Sequence, residues 1–242
     1  HFYLEVDCNA GTLLEVHRTL NEGLEDANIS LNDLCVAAAA RALRDVPEAN
    51  VAFRGDHIEP FDTCDIAVAV ATKDGLITPV LRDAAGLGLL EISKRLRDLV
   101  TRARAGQLAP SEYQGGFALS NLGMFGVTAV WPIINPPHAC IVGIGAVEST
   151  PVIEAGQVVP DAVARVHLAV ILDAEPPVGV PRVEGEHVEH RGGGGEARDG
   201  AVGAVGAARA ARTVAVHEVG EALQRGGRGR GRGGVLGGVG AL

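Results

Sequence analysis

Glu112-Tyr113-Gln114-Gly115-Gly116-Phe117-Ala118-Leu119-Ser120-Asn121-Leu122-Gly123-Met124-Phe125-Gly126-Val127, closed a few residues later by Ile133-Ile134-Asn135-Pro136-Pro137, sets one small polar site inside apolar strand sequence. Ser120 follows an alternating stretch and precedes Asn121 and two glycines. Its hydroxyl is therefore expected at a strand end, where the backbone lets a ligand approach closely. A hydroxyl so placed is a candidate hydrogen-bond donor to an oxyanion; the blander reading is a hydroxyl that satisfies a neighbouring backbone group. Asn135-Pro136-Pro137 reads as a rigid turn, since Asn-Pro favours turn initiation.

At the start of the chain, Phe2, Leu4 and Val6 alternate with Tyr3, Glu5 and Asp7, the period of a half-buried strand. Leu13, Leu14, Val16 and Leu20 share one helical face before a stop at Asn21-Glu22-Gly23. Ser30 is a good N-cap for a second helix with Asp33 in its first turn; the helix runs through Cys35 and four alanines to Leu43 and ends before Pro47. So much alanine suits close packing on a sheet. Ile66 to Ala71 is a nearly all-apolar strand, and Thr72-Lys73-Asp74-Gly75 turns it into Leu76 to Leu81, a hairpin or tight strand connection. Leu89, Ile92, Leu96, Leu99 and Ala103 form a helical stripe that Gly106 can end; the stripe is core rather than site. Ala139 to Val147 and Val163 to Val170 read as two more strands joined across Gly156. Strands clustered late, without regular βαβ repetition, favour an α+β two-layer α/β sandwich.

Composition divides the chain. It has 242 residues, 47% hydrophobic, and all eight aromatics lie at or before Trp131. Residues 171–242 hold more than half of the glycines and are formally neutral, so residues 1–170 carry the whole net charge of −9. That balance argues against nucleic acid or an anionic membrane as a partner. The Arg-Gly alternation from Arg225 to Gly234 would suit RNA, but no aromatic is interleaved with it. Cys8, Cys35, Cys64 and Cys140 show neither CxxC pairing nor a histidine at zinc spacing and are expected as buried free thiols, with no metal site. No secretory signal opens the chain, and no apolar run approaches the ~20 residues of a membrane helix. A soluble protein of the bacterial cytoplasm is expected, and the start at His1 suits a fragment or a processed piece.

The Ser120 run resembles the catalytic domain of the dihydrolipoyl acyltransferases, the core component of the 2-oxoacid dehydrogenase complexes. The resemblance covers about residues 1 to 168. It includes His1-Phe2-Tyr3-Leu4, Asn32-Asp33, Val46-Pro47-Glu48-Ala49-Asn50, Asp65 to Thr72, Asp74 to Val80 and the Asn135-Pro136-Pro137 turn. One residue fewer than the family usually has stands between Gly116 and Ser120. The resemblance implies a fold like that of chloramphenicol acetyltransferase and a homotrimer that stacks into a large hollow core, with active sites between subunits. It implies no cofactor held in this domain. Coenzyme A and a dihydrolipoyl group from a separate domain are the substrates, and lipoyl domains and dehydrogenase subunits the partners. Ser120 matches the serine that donates to the oxyanion.

In that family the general base is a histidine in an Asp-His-Arg-x-x-Asp/Asn-Gly segment just after the last body strand. Here the chain continues Ile171-Leu172-Asp173-Ala174-Glu175-Pro176-Pro177, with no histidine. The nearest echo is Glu189-His190-Arg191 followed by Arg198-Asp199-Gly200, so His190 is the candidate base, but its spacing to Asp199 does not reproduce one compact turn and helix start. His167 is expected core-facing or at a strand edge, and His138 at a surface turn. The organisation expected is thus a C-terminally incomplete acyltransferase domain, 1–170, and an irregular Gly/Ala/Arg-rich tail, 171–242, disordered or read in a shifted frame. A frame shift in GC-rich DNA would produce so abrupt a change, and resequencing would test it. Impaired acyl transfer follows for the chain; the alternative is a catalytically silent scaffold subunit of such a complex.

Overall fold

The alternation at the N-terminus becomes strand β1 (Phe2–Asn9), with Leu4, Val6 and Cys8 toward the helices. A computed structural model describes residues 1–24, 28–54, 58–73, 75–113 and 115–170 of the chain. Helix α1 (Gly11–Glu22) stops at Gly23 as its sequence predicts. Helix α2 (Leu31–Asp45) opens on a reciprocal cap: the Asp33 amide donates to Ser30 Oγ (3.1 Å) and the Ser30 amide to Asp33 Oδ2 (2.8 Å). Strands β2 (Val51–Phe53) and β3 (Ile58–Pro60) make a small separate ribbon.

The apolar run at Ile66 divides into β4 (Ile66–Val68) and β5 (Val70–Thr72), and its return into β6 (Gly75–Ile77) and β7 (Val80–Leu81). β5 and β6 form the expected hairpin, while β4 and β7 pair antiparallel in the main sheet. Helix α3 (Leu89–Arg104) then leads to β8 (Phe117–Asn121), β9 (Cys140–Glu154) and β10 (Gln157–Val170). The last two form one long hairpin, well beyond the strand lengths their apolar runs predict.

The six-stranded sheet has the order β1-β10-β9-β8-β4-β7, with β8 parallel to both β4 and β9 and the other pairs antiparallel. One face carries Val68, Leu119, Val142 and Leu168 against Val36, Ala39 and Leu43 of α2 and Ile92, Leu96 and Leu99 of α3. Ala39, Ala40 and Ala42 of α2 are almost wholly buried, the close approach that small side chains permit. The opposite face is built of Ala67, Ala118, Ile141 and Ala169, with Ile134 packed on it. Helices on one face of a mixed sheet bear out the α+β two-layer expectation.

All four cysteines are free; Cys8, Cys64 and Cys140 are buried and Cys35 half-buried. Burial pushes the thiols of Cys8, Cys35 and Cys140 up to about 12, so they pack as small apolar groups rather than nucleophiles. No helix among the described residues is long and apolar enough to cross a membrane, and no group of three or more His, Cys, Asp or Glu among them could hold a metal.

Candidate active site

Ser120 stands at the penultimate position of β8, half-buried, and projects to the face of Ala118 rather than that of Leu119. Beside it in register lies Gly143 of β9, beyond that His167 of β10, and beyond that Glu5 of β1. Among the described residues no hydrogen bond engages the Ser120 hydroxyl, although the side chain of the next residue is bonded at both its oxygen and its nitrogen. The blander reading, a hydroxyl spent on local backbone, therefore finds no partner here.

Two glycines let the chain fold back over this row. A Cβ on Gly143 would come within 2.7 Å of the Val130 carbonyl oxygen, and one on Gly145 would overlap the Thr128 carbonyl. The segment after Ser120 can therefore lie directly on β9 only if those positions lack side chains. That segment begins with a 3₁₀ turn at Gly123–Phe125, which Gly126 ends at φ +71°. Its large apolar side chains face outward: Met124, Phe125, Trp131 and Ile133 are all more than half exposed.

His167 is fully buried, as a core-facing residue would be, but on the sheet face away from the helices. Its Nε2 lies 3.0 Å from Glu5 Oε2, and the Trp131 ring covers it at a centroid distance of 4.4 Å. Its Nδ1 has no partner among the described residues.

His138 corrects the sequence reading: it is 1% exposed, not a surface turn residue. Its Nδ1 donates to the Asn135 carbonyl at 2.7 Å, closing the Asn-Pro-Pro turn on itself, and it bridges to Ala52 of β2. Burial pushes the imidazole below its ordinary pKa, partly offset by that carbonyl bond. The turn is thus tucked under β2, a contact between segments far apart in sequence. The apolar run that begins right after His138 was the only hint.

Sequence reasoning also missed the pair of Asp65 and Arg82. Asp65 is 6% exposed; its Oδ2 accepts from Arg82 Nη1 at 2.5 Å and its Oδ1 from the Asp83 amide at 2.8 Å. The signal was available, because pairing Ile66 with Leu81 across β4 and β7 sets positions 65 and 82 opposite each other. His190, the candidate base, lies outside the described residues, as does the whole of 171–242.

The family profile of the 2-oxoacid dehydrogenases acyltransferase catalytic domain matches residues 1–171. The dihydrolipoyllysine-residue acetyltransferase component of the pyruvate dehydrogenase complex of Rickettsia bellii is 40% identical over 162 residues, 65% of this chain and 39% of that protein. The mitochondrial counterpart in Schizosaccharomyces pombe is 45% identical over 167 residues, 68% of this chain and 33% of that protein. The mitochondrial pyruvate dehydrogenase protein X component of Mus musculus is 45% identical over 146 residues, 60% of this chain and 29% of its own length. The chain thus spans less than half the length of these relatives. Among solved structures, the dihydrolipoamide acetyltransferase of Azotobacter vinelandii, studied for a serine, a histidine and an asparagine in its mechanism, aligns with a TM-score of 0.64. It is 26% identical, with 69% of this chain and 71% of that one covered. The cubic core of a pyruvate dehydrogenase multienzyme complex shares the fold at a TM-score of 0.69 and 22% identity, covering 91% and 83%. The profile covers most of the chain, and this chain therefore belongs to the family of 2-oxoacid dehydrogenase acyltransferases, of which it carries the catalytic domain.

Proposed function

We propose that the chain transfers an acyl group between the thiols of dihydrolipoamide and coenzyme A within a 2-oxoacid dehydrogenase complex, with Ser120 as oxyanion donor. The observation that carries this is the Ser120 hydroxyl at a strand end, beside a glycine of the neighbouring strand and without a hydrogen-bond partner among the described residues. In the reaction a thiol loses its proton, and the thiolate sulfur bonds to the thioester carbonyl carbon. The carbonyl π electrons move to oxygen, which accepts the Ser120 hydrogen bond. Collapse re-forms the carbonyl and breaks the other carbon–sulfur bond, and the departing thiolate takes a proton.

The proton acceptor is the weak point of this chain. Residues 171–177 contain no histidine, and His190 is displaced along the sequence from the place the family gives its base. We propose His190 as the base if one is supplied, and impaired transfer otherwise, by about 10²- to 10⁴-fold. The division into domain 1–170 and a disordered or frame-shifted tail 171–242, the trimeric core assembly with lipoyl domains and dehydrogenase subunits as partners, and a bacterial cytoplasmic location belong to the same reading.

The test is acetyl transfer from acetyl-coenzyme A to free dihydrolipoamide, followed from pH 7 to 9.5 for the wild-type chain and Ser120→Ala. Raising the pH increases the fraction of substrate thiol present as thiolate without a protein base. Ser120→Ala is expected to lower the rate by about 10²-fold at every pH. Equal rates in the two proteins would overturn the assignment.

A second reading is a silent scaffold subunit. It is favoured by the missing Asp-His-Arg segment and by a relative named as a protein X component rather than as an acetyltransferase. A folded, oligomeric chain without turnover at any pH is its expected signature.

A further inference from the structure

Ser120 is held at the very end of its strand by unequal support. Pairing of β8 with β9 continues through Asn121, whereas pairing with β4 ends at Leu119. The Ala69 amide donates to the Leu119 carbonyl at 2.9 Å, and beyond that bond no backbone contact reaches Ser120 or Asn121 from the β4 side among the described residues. Among the described residues one side chain adds a further tie to the strand end, from the helix face of the sheet.

That side chain is Asn121, which alternation turns away from the Ser120 face and toward α2. Its Oδ1 accepts from the Gly123 amide at 2.9 Å and so starts the turn that follows the serine. Its Nδ2 donates to Asn32 Oδ1 at 3.2 Å, across 89 positions of sequence. The orientations are not interchangeable. A backbone N–H only donates, so Asn121 must give it the oxygen and is left with its amide NH₂ toward α2, where Asn32 must present an acceptor. Asn32 is itself rigid, the second residue of a helix whose first turn is locked by the reciprocal Ser30–Asp33 cap.

We infer that Asn32 is a positioning residue for Ser120, acting from the opposite face of the sheet through Asn121. This rests on the assignment of Ser120 as oxyanion donor. Asn32 touches no reacting atom; it fixes the height and tilt of the strand end on which the serine hydroxyl is aimed.

The experiment measures acetyl transfer to dihydrolipoamide by the full chain at pH 9, together with amide hydrogen exchange of the peptide spanning residues 117–127. Asn32→Ala is expected to lower kcat about 10-fold with KM for acetyl-coenzyme A unchanged, the signature of a misplaced transition-state contact. Asn32→Asp keeps an acceptor and is expected to recover to within about threefold of wild type. Asn121→Asp combined with Asn32→Asp retains the bond to Gly123 but sets two carboxylates, neither with a donor, against each other, and the double variant should behave like Asn32→Ala. In a Ser120→Ala background, Asn32→Ala should cost nothing further, because the contact it positions is already gone.

Exchange in the 117–127 peptide should quicken about 10-fold in Asn32→Ala, return in Asn32→Asp and stay at the wild-type rate in Ser120→Ala. If Ser120→Ala lowers turnover and Asn32→Ala does not, the inference fails while the assignment of Ser120 stands. If Ser120→Ala has no effect on measurable turnover, the assignment fails and the positioning role with it. Should the chain show no turnover, exchange decides: unchanged exchange in Asn32→Ala overturns the inference, and quickened exchange rescued by Asn32→Asp supports it.

Discussion

His138 is a neutral imidazole held in the interior by one carbonyl, and this makes the fold sensitive to mild acid. Burial holds its pKa below the ordinary 6.5, so the unfolded chain takes up the proton more readily than the folded one. Its contribution to stability is complete above pH 6.5 and is lost as the pH falls below that value toward the depressed folded pKa. The melting temperature of the wild-type chain is expected to drop between pH 7 and 5 more steeply than that of His138→Asn, whose amide nitrogen can take the place of Nδ1 on the Asn135 carbonyl. Scanning calorimetry across that range checks it, and parallel profiles would sink the idea. Asp65 is another of the buried polar groups on which the interior depends. Asp65→Ala removes the acceptor of both the Arg82 guanidinium and the Asp83 amide. A loss of about 1.5 kcal/mol is expected in urea unfolding, at the low end for bonds to charged groups because Arg82 is half exposed.

The hairpin of β9 and β10 shows where local sequence suffices and where it does not. Its turn, Ala155-Gly156, has positive φ at both residues, 48° and 81°, with Gln157 opposite Glu154. Two such residues suit the right-handed twist of the strands, and Gly156 was readable as the joint. Ala155 is the misfit, since a side chain in the left-handed region costs ~1–2 kcal/mol. Ala155→Gly is therefore expected to stabilise the chain by about 0.5 kcal/mol, the relief being offset by the greater freedom of glycine when unfolded. A thermal melt that falls instead would show that the turn tolerates alanine without strain. Elements governed by neighbours were legible in the same way: the Ser30 cap, the stop at Gly23, the alanine-rich packing face of α2. What the sequence could not show was which strands lie side by side. The insertion of β8 between β4 and β9, the burial of His138 under β2 and the link from Asn32 to Asn121 all join segments tens of residues apart, and no periodicity encodes such pairings. The strand-end placement of Ser120 was legible through its motif; what supports that strand end was not, because the support comes from another element.

At the scale of the molecule, charge and exposed apolar surface oppose each other. Residues 1–170 carry all of the net −9, so identical copies repel. Yet Met124, Phe125, Trp131 and Ile133, all on the segment that follows Ser120, present large apolar side chains outward. Soluble monomers seldom leave such a group uncovered, and its place beside the serine suits a site completed by another subunit. An exposed apolar segment does not fix the number of copies, but on the trimeric assembly proposed above the chain is expected to sediment as trimers or multiples of three at micromolar concentration. Because the repulsion is screened within ~10 Å at 0.1 M salt while apolar burial is not, association should strengthen as salt rises from 20 to about 300 mM. Phe125→Asp with Ile133→Asp should leave the fold intact, since both side chains are exposed in the single chain, but return it to monomers and abolish the salt response. Sedimentation velocity decides the matter. A wild-type chain that stays monomeric at every salt concentration would mean that the apolar segment is covered in some other way.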